Sequence, residues 1–344
     1  MVDTVDIKTG YSCNNDCYHC VIADKRRELI KNGRKVDRST EEVIHHINEA
    51  TMEGAESIVL TGGEITIRGD FFQLVEYALS KGLTVIIQTN GKMFYYEEFA
   101  KRIASYDKVH LTVALHSPKP EVHDRITGSK NSFKQTTEGI RNLKKHGIGN
   151  RVGGKIVMSK MNYKDLPELI KLAHNLGLMS VNIAFPHAMG NAQLNFYDCV
   201  PKYSEIKNYI LKTIRKSLEL KMYIDFEAMP LCFLPGYETF ASEFRLSEHT
   251  ELRDLTHIDP NYTKTRKTKA KVKDPKCTRC KLYLLCEGCW DDYAEGYDTT
   301  ELTPIPGQYI RDPRMLESFK IHPVPIYKKN INTVTSEKTP FQLK

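Results

Sequence analysis

Short apolar runs alternate with helix-length amphipathic segments along the first 220 residues of this 344-residue chain. The runs are rich in Val, Ile and Leu and are too short to be helices. Six of them are predicted strands, at residues 5–9, 57–60, 83–88, 109–116, 155–158 and 179–185. Apolar strands that alternate strictly with helices indicate a parallel sheet with right-handed helical crossovers. The pattern predicts an α/β fold, either an open doubly wound sheet or a curved partial barrel.

Local signals mark the ends of the predicted helices. The Ser-Thr-Glu-Glu sequence at residues 39–42 can cap a helix and places acidic groups at the positive end of its dipole. Gly82, Gly147 and Gly177 each follow a helical segment, where a left-handed residue is expected. In parallel sheets ligands gather at the carboxyl ends of the strands, so functional residues are expected directly after each strand.

The composition is that of a folded chain that stays in water. Hydrophobic residues make up 40% and charged residues 27% of the chain, which excludes a disordered protein and a membrane bundle. No window holds the ~18 consecutive apolar residues that a membrane span needs. Asp3 and Asp6 interrupt the place where a signal peptide would have its apolar stretch. We therefore expect a cytoplasmic protein with no membrane partner.

The net charge of +7 is concentrated in one stretch. Residues 264–276 contain seven basic residues and one acidic residue, which accounts for +6 of the total. Because this stretch has almost no apolar residues, it is predicted to be a solvated loop, with a docking surface for an acidic partner as the alternative. No RNA-binding module is visible, so nucleic acid is not expected as a partner.

Nine cysteines in a chain without a secretion signal favour metal or redox chemistry over a disulfide framework. They form an N-terminal group, a C-terminal group and two isolated residues: Cys13, Cys17 and Cys20; Cys277, Cys280, Cys286 and Cys289; Cys199 and Cys232. Three thiolates within eight residues suit a [4Fe-4S] cluster with one iron open, and a zinc site or a redox thiol cluster is the alternative. The C-terminal group suits either a zinc knuckle or a second iron-sulfur cluster.

Glycines and polar residues follow the other predicted strands. Thr-Gly-Gly-Glu at 61–64 follows the second strand, Gln-Thr-Asn-Gly at 88–91 the third, and Ser159 and Asn162 the fifth. Glycines let the backbone approach a ligand, and a carboxyl or carbonyl oxygen accepts hydrogen bonds from an ammonium group. These segments and the N-terminal cysteines form the candidate site.

Together these motifs resemble the radical S-adenosylmethionine (SAM) superfamily over residues 5–220, and the stretch 123–133 looks like that of its peptide-maturase and molybdopterin-type branches. The resemblance implies a partial (β/α)6 TIM barrel in which Cys13, Cys17 and Cys20 hold a catalytic [4Fe-4S] cluster that binds SAM. It also implies cofactor contacts from His19, Gly62, Gly63, Glu64, Thr89, Asn90 and Ser159. Two positions depart from the family pattern: His19 replaces an aromatic residue that lies against adenine, and Ala114 replaces a serine.

The C-terminal cysteines resemble the auxiliary-cluster domains known as SPASM or Twitch, which begin with an isolated upstream cysteine. The resemblance implies a radical SAM barrel at residues 1–220 and an irregular auxiliary domain at 221–344 that holds one further [4Fe-4S] cluster. The favoured ligands are Cys232, Cys277, Cys280 and Cys286, with Cys289 as a spare candidate. Cys199 is interpreted as a small buried hydrophobe, with hydrogen donation to a substrate radical as the catalytic alternative.

The resemblance further implies that the protein reductively cleaves SAM to a 5'-deoxyadenosyl radical, which abstracts a substrate hydrogen. The electron would come from a reductant such as flavodoxin or ferredoxin. A ribosomally made peptide is the favoured substrate, because peptide maturation is the commonest task of relatives with such domains. Modification of a small molecule (a nucleotide, sugar or cofactor precursor) or of RNA is the alternative, and a zinc-stabilised scaffold is the non-enzymatic one.

Overall fold

A nine-stranded sheet organises the chain in the computed structural model, which describes residues 2–321. In chain order its strands are β1 (Thr4–Lys8), β2 (Ser57–Thr61), β3 (Thr84–Thr89), β4 (Val109–Ala114), β5 (Val152–Val157), β6 (Ser180–Ala184), β7 (Tyr223–Glu227), β8 (Thr250–Arg253) and β9 (Ile258–Asp259). In space the order is β7-β6-β5-β4-β3-β2-β1-β8-β9, with every neighbouring pair parallel except β8 and β9. The predicted α/β fold with a partial barrel is confirmed, since β7 and β9 do not pair with each other in the described part of the chain.

The helices of residues 2–321 are α1 (Ala23–Lys31), α2 (Thr40–Met52), α3 (Phe71–Ser80), α4 (Glu97–Ala104), α5 (Pro120–Thr127), α6 (Ser132–Lys145), α7 (Leu166–Leu176), α8 (Asn191–Leu194), α9 (Phe196–Cys199), α10 (Tyr203–Glu219), α11 (Tyr262–Lys269) and α12 (Asp291–Tyr297). The predicted cap of α2 is confirmed, because Ser39 and Glu42 form a reciprocal capping box. Gly82, Gly147 and Gly177 have φ angles of 80–84°, as expected for left-handed residues after a helix. Across the described residues, none of these helices combines the length and the apolar character that a membrane crossing requires.

The two faces of the sheet have different chemistry. Val5 and Ile7 of β1 are fully buried in the core that the sheet forms with the helices. Because side chains alternate along a strand, Asp6 between them faces the barrel interior. In that interior Lys155 of β5 donates to Asn182 of β6 and pairs at 2.5 Å with Glu227 of β7. Lys155 lowers the pKa of Glu227 to about 2. The interior therefore presents paired charges rather than a packed apolar core.

The sheet continues beyond residue 220, where the sequence pattern predicted an irregular appendage. β7 extends one edge of the sheet, and β8 pairs with β1 on the other side. The strand β8 carries two buried charged residues, Glu251 and Arg253, and the guanidinium of Arg253 also bonds Glu49 and Glu53 of the α2 region. The predicted count of six strands was wrong, since β7, β8 and β9 also join the sheet. The strand β8 was missed because it buries paired charge rather than apolar surface. The domain boundary at residue 220 stays a prediction, and residues 322–344 of the second domain lie outside the described residues.

The basic stretch is folded, so its interpretation as a solvated loop was wrong. It forms α11 and a short strand, β10 (Lys271–Val272), which pairs antiparallel with β11 (Cys289–Trp290). Arg266 of α11 is only 3% exposed, and its guanidinium contacts Glu243 at 3.2 Å and Glu287 at 3.0 Å. Glu243 also accepts a hydrogen bond from the backbone N–H of Ala228, directly after β7. Arg266 therefore links α11, through Glu243, to the edge of the sheet at β7.

Replacing this arginine should test whether its burial stabilises the fold. Arg266→Met leaves Glu243 and Glu287 as buried carboxylates without their cation, so we expect the free energy of unfolding to fall by about 3–5 kcal/mol. The loss should shrink at acidic pH, because burial raises the pKa of Glu287 and its protonation removes one of the two negative charges. The measurement is urea unfolding of the anaerobically prepared protein, followed by far-UV circular dichroism.

Lys267 is the matched control because it is exposed on the same helix. Lys267→Met should change the free energy of unfolding by no more than about 0.5 kcal/mol. Equal effects of the two substitutions would contradict a specific role for Arg266.

Candidate active site

The three N-terminal cysteines lie on the segment directly after β1, which we call the thiol loop (residues 9–20). Cys13, Cys17 and Cys20 are half-buried, and within the loop the backbone N–H of Asn15 donates to Cys13 Sγ at 3.4 Å. Burial raises the pKa of all three thiols, that of Cys13 to about 11. Because metals bind the thiolate, the loop must release protons when a metal binds.

Two glycines after β2 approach the backbone of the thiol loop too closely for any side chain. The backbone N–H of Gly63 donates to Gly10 O at 2.7 Å, and that of Glu64 donates to Ser12 O at 2.8 Å. A Cβ atom on Gly62 would lie 2.1 Å from Gly10 O, and one on Gly63 would lie 2.1 Å from Ser12 O. Only glycine is compatible with this contact, which explains the predicted Gly-Gly pair.

Glu64 connects the turns after β2 and β3. Its Oε1 accepts from the Thr66 hydroxyl at 2.5 Å and the Thr89 hydroxyl at 2.7 Å, and its Oε2 accepts from the Asn90 backbone N–H at 2.6 Å. The side chain is 3% exposed, and burial raises the pKa of its carboxyl group. Three predicted cofactor residues are thus joined in one network, in which Glu64 positions Thr89 and Asn90.

Lys92 holds the thiol loop and was not found from the sequence. Its Nζ donates to Asn14 O at 2.9 Å, Asn15 Oδ1 at 3.0 Å and Ser129 Oγ at 2.9 Å. Asn90 Nδ2 donates to Asn14 Oδ1 at 2.7 Å from the same turn. The available signal was the position of Lys92 directly after the Thr-Asn-Gly motif.

The opposite side of the thiol loop contacts residues that follow β4 and β6. Asn191 donates from its side chain to Cys17 O at 2.8 Å and from its backbone to Cys20 O at 2.9 Å. A Cβ atom on Gly128 would lie 2.4 Å from Asp16 O, so this approach also requires glycine. Segments that follow β2, β3, β4 and β6 therefore all contact the loop that carries the three thiols.

Three histidines, one of them in the thiol loop, pack against each other. The ring of His19 lies edge-on to that of His116 with a centroid separation of 4.7 Å, and the backbone N–H of His116 donates to His123 Nδ1 at 3.2 Å. His116 Nδ1 accepts from the Val157 backbone N–H at 3.3 Å, as a structural histidine does. By contrast, His19 Nδ1 is buried without a hydrogen-bond partner in the described chain, and burial lowers the pKa of His19 to about 4. Burial therefore favours the neutral form of His19, and its Nδ1 is unused among the described residues.

Ser159 and Cys199 lie near the carboxyl end of β5. Ser159 is buried, and its backbone N–H and its hydroxyl contact Asn162 Oδ1 at 2.7 and 3.3 Å. Cys199 is fully buried in the core, and burial raises the pKa of its thiol to about 12. This environment agrees with the interpretation of Cys199 as a small hydrophobe, and its catalytic role stays a prediction.

The thiol loop fits an iron-sulfur cluster and SAM in its donor chemistry. Three cysteine thiols can supply three of the four iron ligands of a cubane. The glycine contacts keep side chains away from the loop, and the unused nitrogen of His19 can accept or donate a hydrogen bond. Comparison with known proteins agrees, because the model of the radical SAM superfamily matches residues 7–173.

Residues 7–173 are a radical SAM domain. The chain is 27% identical to the AdoMet-dependent heme synthase of Methanosarcina barkeri over 173 residues, which are 50% of this chain and 47% of that protein. It is 29% identical to the mycofactocin maturase MftC of Mycolicibacterium smegmatis over 167 residues, 48% of this chain and 40% of that one.

The chain thus spans about half the length, or less, of these curated relatives. Among solved structures, Streptococcus suis SuiB bound to the precursor peptide SuiA is similar with a TM-score of 0.59 and 12% identity. That match covers 88% of this chain and 74% of SuiB. At this identity the likeness concerns the fold, and it extends well beyond the radical SAM domain.

Four C-terminal cysteines, outside the matched domain, line one pocket. The cysteine pocket has about 340 Å³ of empty space, including its open side, and its lining includes Cys232, Cys277, Cys280 and Cys286. Backbone N–H groups donate to two of these sulfurs at 3.3 Å, from Ile305 to Cys280 and from Gly288 to Cys286. The four thiols predicted to act together are therefore adjacent in the fold.

Cys289 differs from these four cysteines. It lies in β11, is fully buried, and its Sγ contacts Val272 O at 3.8 Å instead of lining the cysteine pocket. Burial raises the pKa of both Cys289 and Cys232 to about 12. Four thiols around one pocket, two of them with N–H donors at their sulfurs, have the donor chemistry that a cubane cluster needs.

The contact between Gly63 and Ser12 can be tested by adding one methyl group. Gly63→Ala places a Cβ atom 2.1 Å from a backbone carbonyl, so the thiol loop must shift at a cost of about 1–3 kcal/mol. We expect anaerobic reconstitution to give less iron and sulfide per chain than the wild type. Gly69→Ala is the control because no atom lies within 4 Å of its added Cβ. Equal iron contents in the two variants would show that the loop tolerates the shift.

Proposed function

We propose that this protein is a cytoplasmic radical SAM enzyme that modifies a ribosomally made peptide. When bound, the [4Fe-4S] cluster and SAM supply a 5'-deoxyadenosyl radical that abstracts a substrate hydrogen. The observation that carries the proposal is the attachment of a three-thiol loop to the segments that follow β2, β3, β4 and β6. Active sites of such barrels lie at this end of the strands.

The residues of the chain would divide the work at this site. Cys13, Cys17 and Cys20 would hold the cluster, while Gly62 and Gly63 remain proposed contacts to SAM through their backbone atoms. Ser159, Thr89 and Asn90 remain proposed cofactor contacts, supported by their positions directly after β5 and at the end of β3. A flavodoxin- or ferredoxin-type reductant would supply the electron.

We further propose one auxiliary [4Fe-4S] cluster, held by Cys232, Cys277, Cys280 and Cys286. Their common pocket and the N–H donors at Cys280 and Cys286 support this ligand set. Cys289 would be the spare cysteine, since it does not line the pocket. Hydrogen bonds to cluster sulfurs raise the reduction potential, so these donors would tune the auxiliary cluster.

The peptide as substrate is supported by two of the similar proteins. MftC is a maturase, and the SuiB structure contains a precursor peptide. A small molecule is the alternative, because the chain is equally similar to a heme synthase. RNA is not proposed as a substrate, because part of the positive charge of the basic stretch is buried and paired with carboxylates, as in Arg266.

The radical SAM cluster can be tested with Cys17→Ala. This change removes one of three thiolate ligands, so we expect no 5'-deoxyadenosine from SAM with dithionite under anaerobic conditions. Iron should fall by about four atoms per chain while the auxiliary cluster keeps its absorbance near ~400 nm. A wild-type protein that contains zinc, or that is colourless and leaves SAM intact, would support the zinc scaffold instead.

The auxiliary cluster can be tested by comparing five single Cys→Ala variants. Substitution of Cys232, Cys277, Cys280 or Cys286 should each lower the iron content by about four atoms per chain and leave SAM cleavage partly intact. Cys289→Ala is the matched control and should keep its iron. The ligand set is wrong if Cys289→Ala loses the iron and one of the other four variants retains it.

A further inference from the structure

Lys271 and Trp290 place two buried hydrogen-bond donors side by side. The residues are paired across β10 and β11, and Lys271 Nζ lies 3.8 Å from the centroid of the Trp290 ring. Lys271 is 8% and Trp290 4% exposed. Within residues 2–321 neither Lys271 Nζ nor Trp290 Nε1 has a hydrogen-bond partner. Buried polar groups are almost always paired in folded proteins, so two adjacent exceptions indicate a partner from outside the chain.

These donors lie beside the carboxyl ends of β6 and β7. Trp290 stacks on His187, three residues after β6, with ring centroids 4.1 Å apart and an interplanar angle of 17°. The backbone N–H of Ala188 donates to Asp292 Oδ2 at 2.7 Å and fixes the C-terminal segment to this end of the barrel. Asp292 Oδ1 is also buried without a hydrogen-bond partner in the described chain.

The surrounding charges restrict what the missing partner can be. The pKa of Lys271 is lowered, chiefly by burial. The nearby carboxylates of Glu243, Glu287 and Glu227 oppose this shift, and Arg266 adds to it. A cation is disfavoured next to an ammonium group, and a doubly charged phosphate is disfavoured among the four carboxyl groups of Glu227, Glu243, Glu287 and Asp292. A planar group with a single negative charge can accept from both Lys271 and Trp290.

We propose that Lys271 and Trp290 bind a carboxylate of the substrate at the mouth of the barrel. This inference rests on the proposed function, because it takes the barrel mouth as the substrate site. Asp292 Oδ2 lies 3.2 Å from Nε2 of the same His187 that stacks on Trp290, so the unpaired Oδ1 of Asp292 would accept an N–H group next to that carboxylate. The substrate class is therefore an amino acid or peptide whose carboxylate lies near an amide or amine.

The test uses Trp290 as its own reporter, because it is the single tryptophan of the chain. The anaerobically reconstituted full-length protein is titrated with N-acetylglycine and, separately, with the neutral analogue N-acetylglycinamide at constant ionic strength. We expect a saturable change in tryptophan fluorescence with the carboxylate and none with the amide. No saturable response, or an equal response to the amide, overturns the proposal.

Lys271→Met keeps the aliphatic stem over Trp290 and removes the charge, so the dissociation constant should rise at least about tenfold. Lys271→Arg restores a cation and should bind within a few-fold of the wild type, which separates loss of charge from loss of folding. Lys269→Met, at an exposed position of α11, is the control with unchanged binding. Unchanged affinity in Lys271→Met overturns the proposal.

SAM cleavage by the same preparations separates this inference from the proposed function. Carboxylate binding without 5'-deoxyadenosine would refute the radical chemistry and leave the carboxylate site standing. Cleavage of SAM without carboxylate binding would refute the carboxylate site and leave the radical chemistry standing.

Discussion

The contact between the thiol loop and the glycines after β2 is the constraint on which the proposed active site depends. The backbone of Gly63 bonds Gly10 at 2.7 Å, at a separation where a methyl group would collide with a carbonyl oxygen. A loop that is this close to the sheet cannot be adjusted by side-chain movement, so the thiol positions follow from the strand ends. Lys92 and Asn191 then fix the loop from two further directions. Lys92 and Asn191 both bond backbone oxygens of the loop. None of these contacts uses a thiol, so all three sulfurs can bind a metal.

The C-terminal part of the chain is attached to the barrel by strand pairing and by buried charge. β8 pairs with β1, the strand that leads into the thiol loop. Just after β8, Asp254 accepts from the Tyr11 hydroxyl and pairs with Lys25 at 2.8 Å, on either side of the cysteines. Asp254 thereby connects the C-terminal part to both ends of the loop. Because such pairs stabilise only when both partners are present, the two parts of the chain depend on each other for their structure.

Much of the barrel could be predicted from the sequence because apolar runs and glycines follow simple steric rules. The runs at 5–9 and 57–60 became β1 and β2 within one residue of their predicted ends. Failure came where charge is buried: Arg253 in β8 and Arg266 in α11 are typical of solvated segments, and their partners are distant in sequence. The role of Lys92 was missed for the same reason, since its partners lie 37 to 78 residues away. Local patterns show which residues could be buried but not which distant carboxylate will pair with them.

The barrel interior shows how pairing separates structural charges from available ones. Lys155 is satisfied by Glu227 and Asn182, and the pKa of Glu227 is lowered accordingly. A paired ammonium of this kind has little free energy to gain from a ligand, because a new bond must replace an existing one. Lys271 lies within the field of the same glutamate and has no such bond among the described residues. The contrast between Lys155 and Lys271, both near Glu227, supports the proposal that Lys271 binds an anionic group at the barrel mouth. The paired charges of Lys155 and Glu227 instead stabilise the contact between strands.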